Sequence, residues 1–356
     1  MVRDYSTFLP PSTAMDAPAL PMLTRLGWQS FFAQQIDADA LTRTPPARVT
    51  RVNRTTVHLL GDGIDMVLPL VSDLAVGDWV LLEEDRAAVA EVLDRKSLIK
   101  RRAAGHDRQV QLIAANIDTA FVVTSCNQDF NVARLERYLA LAFEAEVDPV
   151  ILLTKPDLSE DVATFVAEAA AISDMVPVLA VNAKSAEVAA QLAGWCKPGR
   201  TIAFLGSSGV GKSTLVNALS GTLTAETQGV RTGDDKGRHT TTRRELHLVS
   251  GGFAVLDTPG MRELQMTDAA DGIADVFSDL ADLAGGCRFS DCSHTVEPGC
   301  ALKAGIAAGD LDPARLERWQ KLVAEDAHNS ATLAERKSRD KALGKTIKGI
   351  QKKSRK

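Results

Sequence analysis

Apolar and polar positions change period along this chain, and the changes mark out its elements. Between residues 47 and 98, short runs rich in Val, Leu and Thr alternate with turn residues. Runs at 48–52, 55–60, 66–70, 79–82 and 87–93 predict strands, with Gly61-Asp62-Gly63 and Gly77-Asp78 as turns between them. Five short strands so close together predict a small β-barrel, of which the OB-fold is one common kind. Further on, apolar runs alternate with amphipathic stretches. Strands are predicted at 120–124, 150–153, 177–181, 201–205, 245–249 and 254–256, and helices at 132–145, 158–172, 186–196 and 212–219. That alternation predicts a mainly parallel sheet covered by helices. Ahead of the barrel, Leu23, Leu26, Trp28, Phe31 and Phe32 supply the apolar face of a short helix. After residue 266 come a cysteine-rich loop and a long polar helix starting at Asp312. The expected organisation is an N-terminal extension (1–40), a barrel (41–105), an α/β domain (106–265) and a mainly helical C-terminal domain (266–356).

Composition adds the cellular setting. Apolar residues make up 45% and charged residues 24% of the 356, as in ordinary globular proteins. No apolar run approaches the roughly 20 residues of a membrane span. Residues 1–21 lack a continuous apolar core and contain Asp4, Asp16 and four prolines, so no signal peptide is read there. The expectation is a cytoplasmic monomer without membrane contact, its five cysteines reduced. The net charge of −5 conceals an asymmetry. Residues 336–356 carry ten Lys or Arg against one acid, so this stretch is +9 and the remainder −14. A basic tail on an acidic body suggests a polyanionic partner, nucleic acid first. The stretch 96–108 holds six basic residues, His106 included, with only Asp107 opposing, and reads as a basic linker leaving the barrel.

Three segments carry nucleotide chemistry. Gly206-Ser207-Ser208-Gly209-Val210-Gly211-Lys212-Ser213 fits the P-loop pattern and lies between a predicted strand and a predicted helix that continues through Thr214. Its glycines let backbone N–H groups wrap phosphate; Lys212 reaches the β- and γ-phosphates, and the Ser213 hydroxyl suits Mg²⁺. Asp257-Thr258-Pro259-Gly260 ends an apolar strand, where Asp257 can hold Mg²⁺ through water and the Gly260 N–H can sense the γ-phosphate. Thr154-Lys155-Pro156-Asp157 follows another strand. A carboxylate at Asp157 can accept from guanine N1–H and N2–H₂, donors that adenine does not present together. Asn182-Ala183-Lys184 follows the next strand and offers backbone N–H to guanine O6.

Ras-type GTPases place the P-loop first, then switch I, D-x-x-G, [N/T]-K-x-D and S-A-K. Here the guanine reader and Asn182–Lys184 precede the P-loop and D-x-x-G, which is a circular permutation; residues 195–200 would join the old chain ends. The permuted order, the barrel before it and the cysteine-rich segment after it resemble the bacterial ribosome small-subunit-dependent GTPase A family (RsgA, also called YjeQ). Residues 114–118 and Gly237-Arg238-His239-Thr240-Thr241-Thr242 in the switch I region are also similar, and the resemblance covers about residues 45–310. Thr154 stands where Asn is usual, and Asn182 where Ser is usual. The resemblance implies GTP hydrolysis to GDP in late maturation of the small (30S) ribosomal subunit. It also implies stimulation by that subunit, and rRNA binding through the OB-fold, the zinc domain and the basic tail. A small-metabolite P-loop kinase and an RNA-binding scaffold with a structural nucleotide are the rival classes. The residue after D-x-x-G is Met261, which cannot orient water as Gln does, so His239 is the candidate to do so. Thr241 is the candidate switch I contact to Mg²⁺ and γ-phosphate.

The last cluster is Cys287, Cys292, His294 and Cys300, a Cys₃His set with the composition of a closed structural zinc site. The resemblance places a zinc-binding domain here. Cys126 and Cys196 lie in apolar surroundings and read as core residues.

Overall fold

The computed structural model describes residues 20–37, 40–70, 73–102, 110–220, 245–249, 251–257, 266 and 268–330. Three single-turn helices come first: α1 (Met22–Arg25), α2 (Ser30–Ala33) and α3 (Ala40–Arg43). The short helix expected around 23–32 is thus split. Gly27 sits between its halves at φ +90, a left-handed conformation that ends α1. Its chain neighbours Leu26 and Trp28 join Phe32, Trp79, Leu81 and Leu93 in one apolar cluster.

β1 (Pro46–Val52), β2 (Thr56–Gly61), β3 (Ile64–Pro69), β4 (Trp79–Leu82) and β5 (Val89–Val92) are antiparallel, in the order β3-β2-β1-β4-β5. They enclose their own core of Ala47, Val49, Val57, Leu59, Ile64, Leu68, Val80 and Leu82. Alternation along β2 shows why: Val57 and Leu59 point inward while His58 and Leu60 are only half-buried. The stretch read as a basic linker contains a strand instead. β6 (Leu98–Arg102) pairs with β7 (Val110–Ala115) in a separate antiparallel ribbon, so the boundary expected at 105/106 falls between two paired strands. Ile99, Ile113 and Ala114 are buried in the main core, which a free linker would not provide.

The α/β sheet follows. In chain order it contains β8 (Thr119–Ser125), α4 (Val132–Glu144), β9 (Asp148–Thr154), α5 (Val162–Ala170), β10 (Val178–Val181), α6 (Val188–Leu192) and β11 (Thr201–Leu205). It continues with α7 (Lys212–Ser220), β12 (Glu245–Leu248) and β13 (Ala254–Asp257). In space the strands run β10-β9-β8-β11-β13-β12; all are parallel except β12, which is antiparallel to β13. Strands β8, β9 and β11 are buried almost throughout because both their faces are covered. Ala120, Val122, Ile151, Leu153, Ala203 and Leu205 face one core, beside α4 residues Leu135 and Leu139. Phe121, Val123, Val150, Leu152, Ile202 and Phe204 face the other, beside Leu192 of α6 and Leu215 of α7. Strand β11 lies in the middle although three strands of the parallel sheet, β8, β9 and β10, precede it in the chain. Reading from β11 through β13 and then from β8 through β10 gives an uninterrupted doubly wound order.

Two features join these units. β12 also pairs with β1, opposing Arg51 and Glu245, which form an ion pair, so barrel and α/β sheet are continuous. The C-terminal helices α8 (Ala270–Val276), α9 (Ser278–Ala284), α10 (Ala301–Ala308) and α11 (Pro313–Ser330) add Ile273, Leu280, Leu302 and Leu316 to the core beneath α4. Gly272 of α8 makes this approach possible: a Cβ there would lie 2.1 Å from the Ala140 carbonyl oxygen. Among the described residues no helix is long and apolar enough to cross a membrane.

Candidate functional site

In an open parallel sheet, ligand-binding loops gather at the carboxyl ends of the strands. β11 ends at Leu205 and leads into the candidate phosphate loop, residues 206–213. β9 ends at Thr154, β10 at Val181 and β13 at Asp257. Since these strands are parallel, the P-loop, the 154–157 turn, the 182–184 loop and Asp257 all lie at one edge.

The loop owes its shape to glycine. Gly206, Gly209 and Gly211 have φ of +141, +80 and +98. At Gly206 a side chain is excluded outright, because a Cβ would sit 2.2 Å from the Val123 carbonyl oxygen. Val210 is buried and anchors the loop, while Ser208, Gly209 and Ser213 are exposed at its mouth. Lys212 opens α7 and folds over the loop; its Nζ donates to the carbonyls of Gly206, at 2.8 Å, and Ser207. A flexible ammonium held on loop carbonyls above a helix N-terminus is a ready partner for phosphate oxygens. Thr214, in the first turn of α7, is half-buried.

Thr154 is fully buried, so it braces the loop from below. Its Oγ1 lies 3.0 Å from the Thr124 carbonyl oxygen and also reaches that of Val210, tying the ends of β8 and β9 to the phosphate loop. Gly211 packs on the same side chain: a Cβ there would meet Thr154 Oγ1 at 3.5 Å. Lys155 takes the left-handed conformation at φ +56 and turns the chain into the short 3₁₀ helix Pro156–Leu158, which leaves Asp157 exposed. Asn182 shapes its loop through its own side chain, Oδ1 accepting from the Lys184 N–H at 3.0 Å. Ala183 is buried and Lys184 exposed. Asp257 closes β13 opposite Glu245. Gly260, His239 and Thr241 lie outside the described residues.

Sequence reasoning missed two groups. Arg134 in α4 places Nη1 2.7 Å from Ser207 Oγ, on the phosphate loop itself. Asn131, three residues earlier, caps α4 by accepting the Arg134 N–H at 2.9 Å. That cap was legible in the spacing; the contact across 73 residues was not. The second group is a polar hub below β11. Asp118 accepts from Lys96 Nζ at 2.8 Å, Arg200 Nη1 at 3.1 Å and the Thr201 N–H at 2.8 Å. Burial pushes its carboxyl up, but these hydrogen bonds and cations outweigh burial and hold it below the usual value.

In the C-terminal unit, Cys287, Cys292, His294 and Cys300 bring their ligand atoms within 4.8 Å of one another. Sγ of Cys287 and Cys300 are 3.9 Å apart, and His294 Nδ1 is 3.6 and 3.5 Å from them. Metal–sulfur bonds of about 2.3 Å in tetrahedral geometry put neighbouring sulfurs about 3.8 Å apart, so the donors match the edges of one coordination sphere. The Ala301 N–H donates to Cys287 Sγ at 3.4 Å, which favours a thiolate there. This set can hold a metal ion. The other two cysteines behave as core groups: Cys126 is buried, and burial pushes the Cys196 thiol up to about 12.

Comparison with known proteins agrees with this geometry. A family model described as RsgA GTPase matches residues 92–267. Small ribosomal subunit biogenesis GTPase RsgA 2 of Vibrio parahaemolyticus is 45% identical over 337 residues, covering 94% of each chain. RsgA of Mesorhizobium japonicum is 48% identical over 318 residues, covering 87% of this chain and 91% of the relative. Among solved structures, YjeQ from Thermotoga maritima matches with a TM-score of 0.59 and 26% identity, over 79% of this chain and 98% of its own. YloQ, described as a circularly permuted GTPase, matches with a TM-score of 0.56 and 23% identity, over 83% of this chain and 100% of its own, and so shares the fold. With residues 206–213 following the central strand of a permuted sheet and relatives this similar along most of its length, the chain belongs to the RsgA family of GTPases.

Proposed function

We propose that this protein hydrolyses GTP to GDP and phosphate during late maturation of the small (30S) ribosomal subunit, and that the subunit stimulates the reaction. The observation that carries this reading is the common edge of one parallel sheet, where Lys212 and Ser213 for phosphate and Mg²⁺ meet Asp157 for guanine. A metabolite kinase has no use for a carboxylate turned toward guanine donors. GTP is the substrate and GDP the product; Ser213 and Asp257 are the Mg²⁺ residues, with Thr241 of switch I.

The strand order β3-β2-β1-β4-β5 supports an OB-type barrel, whose curved sheet accepts single-stranded RNA. The barrel, the C-terminal helical unit and the basic residues 336–356 form the surface offered to rRNA. Three thiolates and an imidazole at tetrahedral spacing support one structural Zn²⁺. The protein acts in the cytoplasm as a monomer, without membrane contact. His239 takes over the role of the water-orienting glutamine, which Met261 cannot fill, and acts on the small subunit.

The test is GTP turnover with and without purified small subunits, for the wild-type chain and for His239→Ala. The subunit should raise the wild-type rate strongly and the His239→Ala rate little, with nucleotide binding unchanged. A free enzyme already as fast as the subunit-bound one refutes the ribosomal reading; full stimulation of His239→Ala refutes only the assignment of His239.

A further inference from the structure

Arg134 stands in the first turn of α4, exposed, with Nη1 on the Ser207 hydroxyl at 2.7 Å. That hydroxyl is neutral, and among the described residues no carboxylate pairs with this guanidinium. A full positive charge therefore rests on a neutral group at the rim of a loop shaped for a polyanion. Guanidinium forks bind phosphate oxygens more strongly than hydroxyls.

The loop also indicates which phosphate. In loops of this pattern the lysine reaches the β- and γ-phosphates. Lys212 Nζ lies on the carbonyls of Gly206 and Ser207, so Ser207 borders the outer end of the phosphate chain. The arginine resting on Ser207 borders it too. The geometry points to Arg134 as a contact to the terminal phosphate of GTP, supplied by the chain itself and released from Ser207 when nucleotide enters. The inference rests on residues 206–213 being the phosphate loop.

The platform beneath Arg134 is firm. Leu135 and Leu139 are buried in the core. Glu136 is fully buried, with both carboxylate oxygens 2.9 Å from Arg318 Nε of α11. Arg137 pairs with Glu325 of the same helix. Arg134 is therefore a short, exposed arm on a fixed helix, and a cation so placed favours GTP over GDP and helps to stabilise charge on the transferring phosphoryl group.

The experiment compares full-length wild type, Arg134→Ala, Arg134→Lys and Lys212→Ala for binding of GDP and a non-hydrolysable GTP analogue, and for single-turnover hydrolysis. Loss of one charge-assisted contact should weaken the analogue about tenfold in Arg134→Ala while GDP stays within about twofold. Arg134→Lys should recover part of the loss. Equal weakening of GDP and analogue, or no loss at all, overturns the assignment, the first because the guanidinium then only braces the loop. Lys212→Ala keeps the premises apart. If it binds GDP as wild type does, the phosphate-loop reading itself fails; if it loses GDP while Arg134→Ala behaves as wild type, only the arginine contact falls.

Discussion

Arg48 of β1 donates from Nη1 to the hydroxyl of Thr201, 2.8 Å away, so the barrel's first strand grips the strand that leads into the phosphate loop. The guanidinium is completely buried and also donates to the carbonyls of Leu26, Gly77 and Asn116. Burial pushes its pKa down to about 10, against the opposing pull of Asp118 and Asp78. One side chain thus joins the N-terminal helices, the barrel and the α/β sheet.

Replacing it should cost more than an ordinary core change. Arg48→Met fills similar volume but leaves the buried carbonyls of Leu26 and Asn116 without a donor, each worth about 1 kcal/mol or more, while that of Gly77 keeps Asn116 Nδ2. A loss of about 3–5 kcal/mol in urea unfolding is expected. A loss under about 1 kcal/mol would show that the hub is not a structural joint.

Asp118, in the same hub, predicts an acid dependence. Its folded pKa lies below the ordinary 3.8, because hydrogen bonds and the charges of Lys96 and Arg200 outweigh burial. The ionised carboxylate therefore stabilises the fold above about pH 3.8, and that contribution disappears as pH falls through the folded pKa. Asp118→Asn should be less stable than wild type at pH 7, by about 2 kcal/mol. The gap should close below pH 3.8. Parallel stability curves for the two proteins from pH 7 to pH 3 would contradict this.

The metal cluster predicts a stoichiometry. Protein purified without chelators should contain one zinc per chain, and Cys292→Ala should lose it. The ligand atoms lie within 4.8 Å of each other but share no residue with the nucleotide edge, so GDP binding should survive. Elemental analysis finding no metal in the wild type, or the same content in the variant, rules the site out.

At the guanine turn, Asp157→Asn puts an amide donor against guanine N1–H and N2–H₂. The clash and the lost charge-assisted bonds should cost about 2–4 kcal/mol in GTP affinity. Xanthosine nucleotides, with an oxygen in place of the 2-amino group, should bind the variant better than guanosine nucleotides do. Titration calorimetry with both nucleotides decides the matter; equal GTP affinity for wild type and variant removes Asp157 from the base site.

Much of this was legible in the sequence because it is local. Strands 79–82 and 201–205 were bounded correctly, since turn residues and continuous apolar runs mark them. The 206–213 loop between β11 and α7 and the Cys₃His cluster stand out by residue type and spacing. What was not legible depends on distant pairing. Residues 98–102 carry Lys100, Arg101 and Arg102, a charge run that looks like linker until β7 supplies the opposite strand. The C-terminal unit read as separate because nothing in Gly272 announces that α8 will lie against the backbone of α4. The helix expected over 158–172 begins later, at Val162, because Pro156 and Asp157 are held in a 3₁₀ turn and Asp161 caps α5 by accepting the Thr164 N–H at 3.2 Å.

Thr154 also looked different from the sequence, as a base-side residue of the guanine turn, and its buried position yields the last prediction. Its hydroxyl has one proton for two carbonyls, those of Thr124 and Val210, and its side chain supports Gly211. Thr154→Val keeps shape and volume but removes the donor, leaving both oxygens buried among apolar groups. The expected cost is about 1–3 kcal/mol, because an unsatisfied buried acceptor loses its solvation without compensation. The loss should appear twice, as lower thermal stability and as weaker binding of both GDP and GTP, since Val210 belongs to the phosphate loop. The preference for guanine over adenine nucleotides should stay as in wild type, because that choice is assigned to Asp157. Asp157→Asn should do the reverse, changing base choice while leaving stability within about 0.5 kcal/mol, as befits an exposed residue. Measuring melting temperature and the affinities for GDP, GTP and ATP in both variants separates the two roles. If Thr154→Val relaxed guanine selectivity without loss of stability, Thr154 would be a base contact and the brace beneath the loop would be wrong.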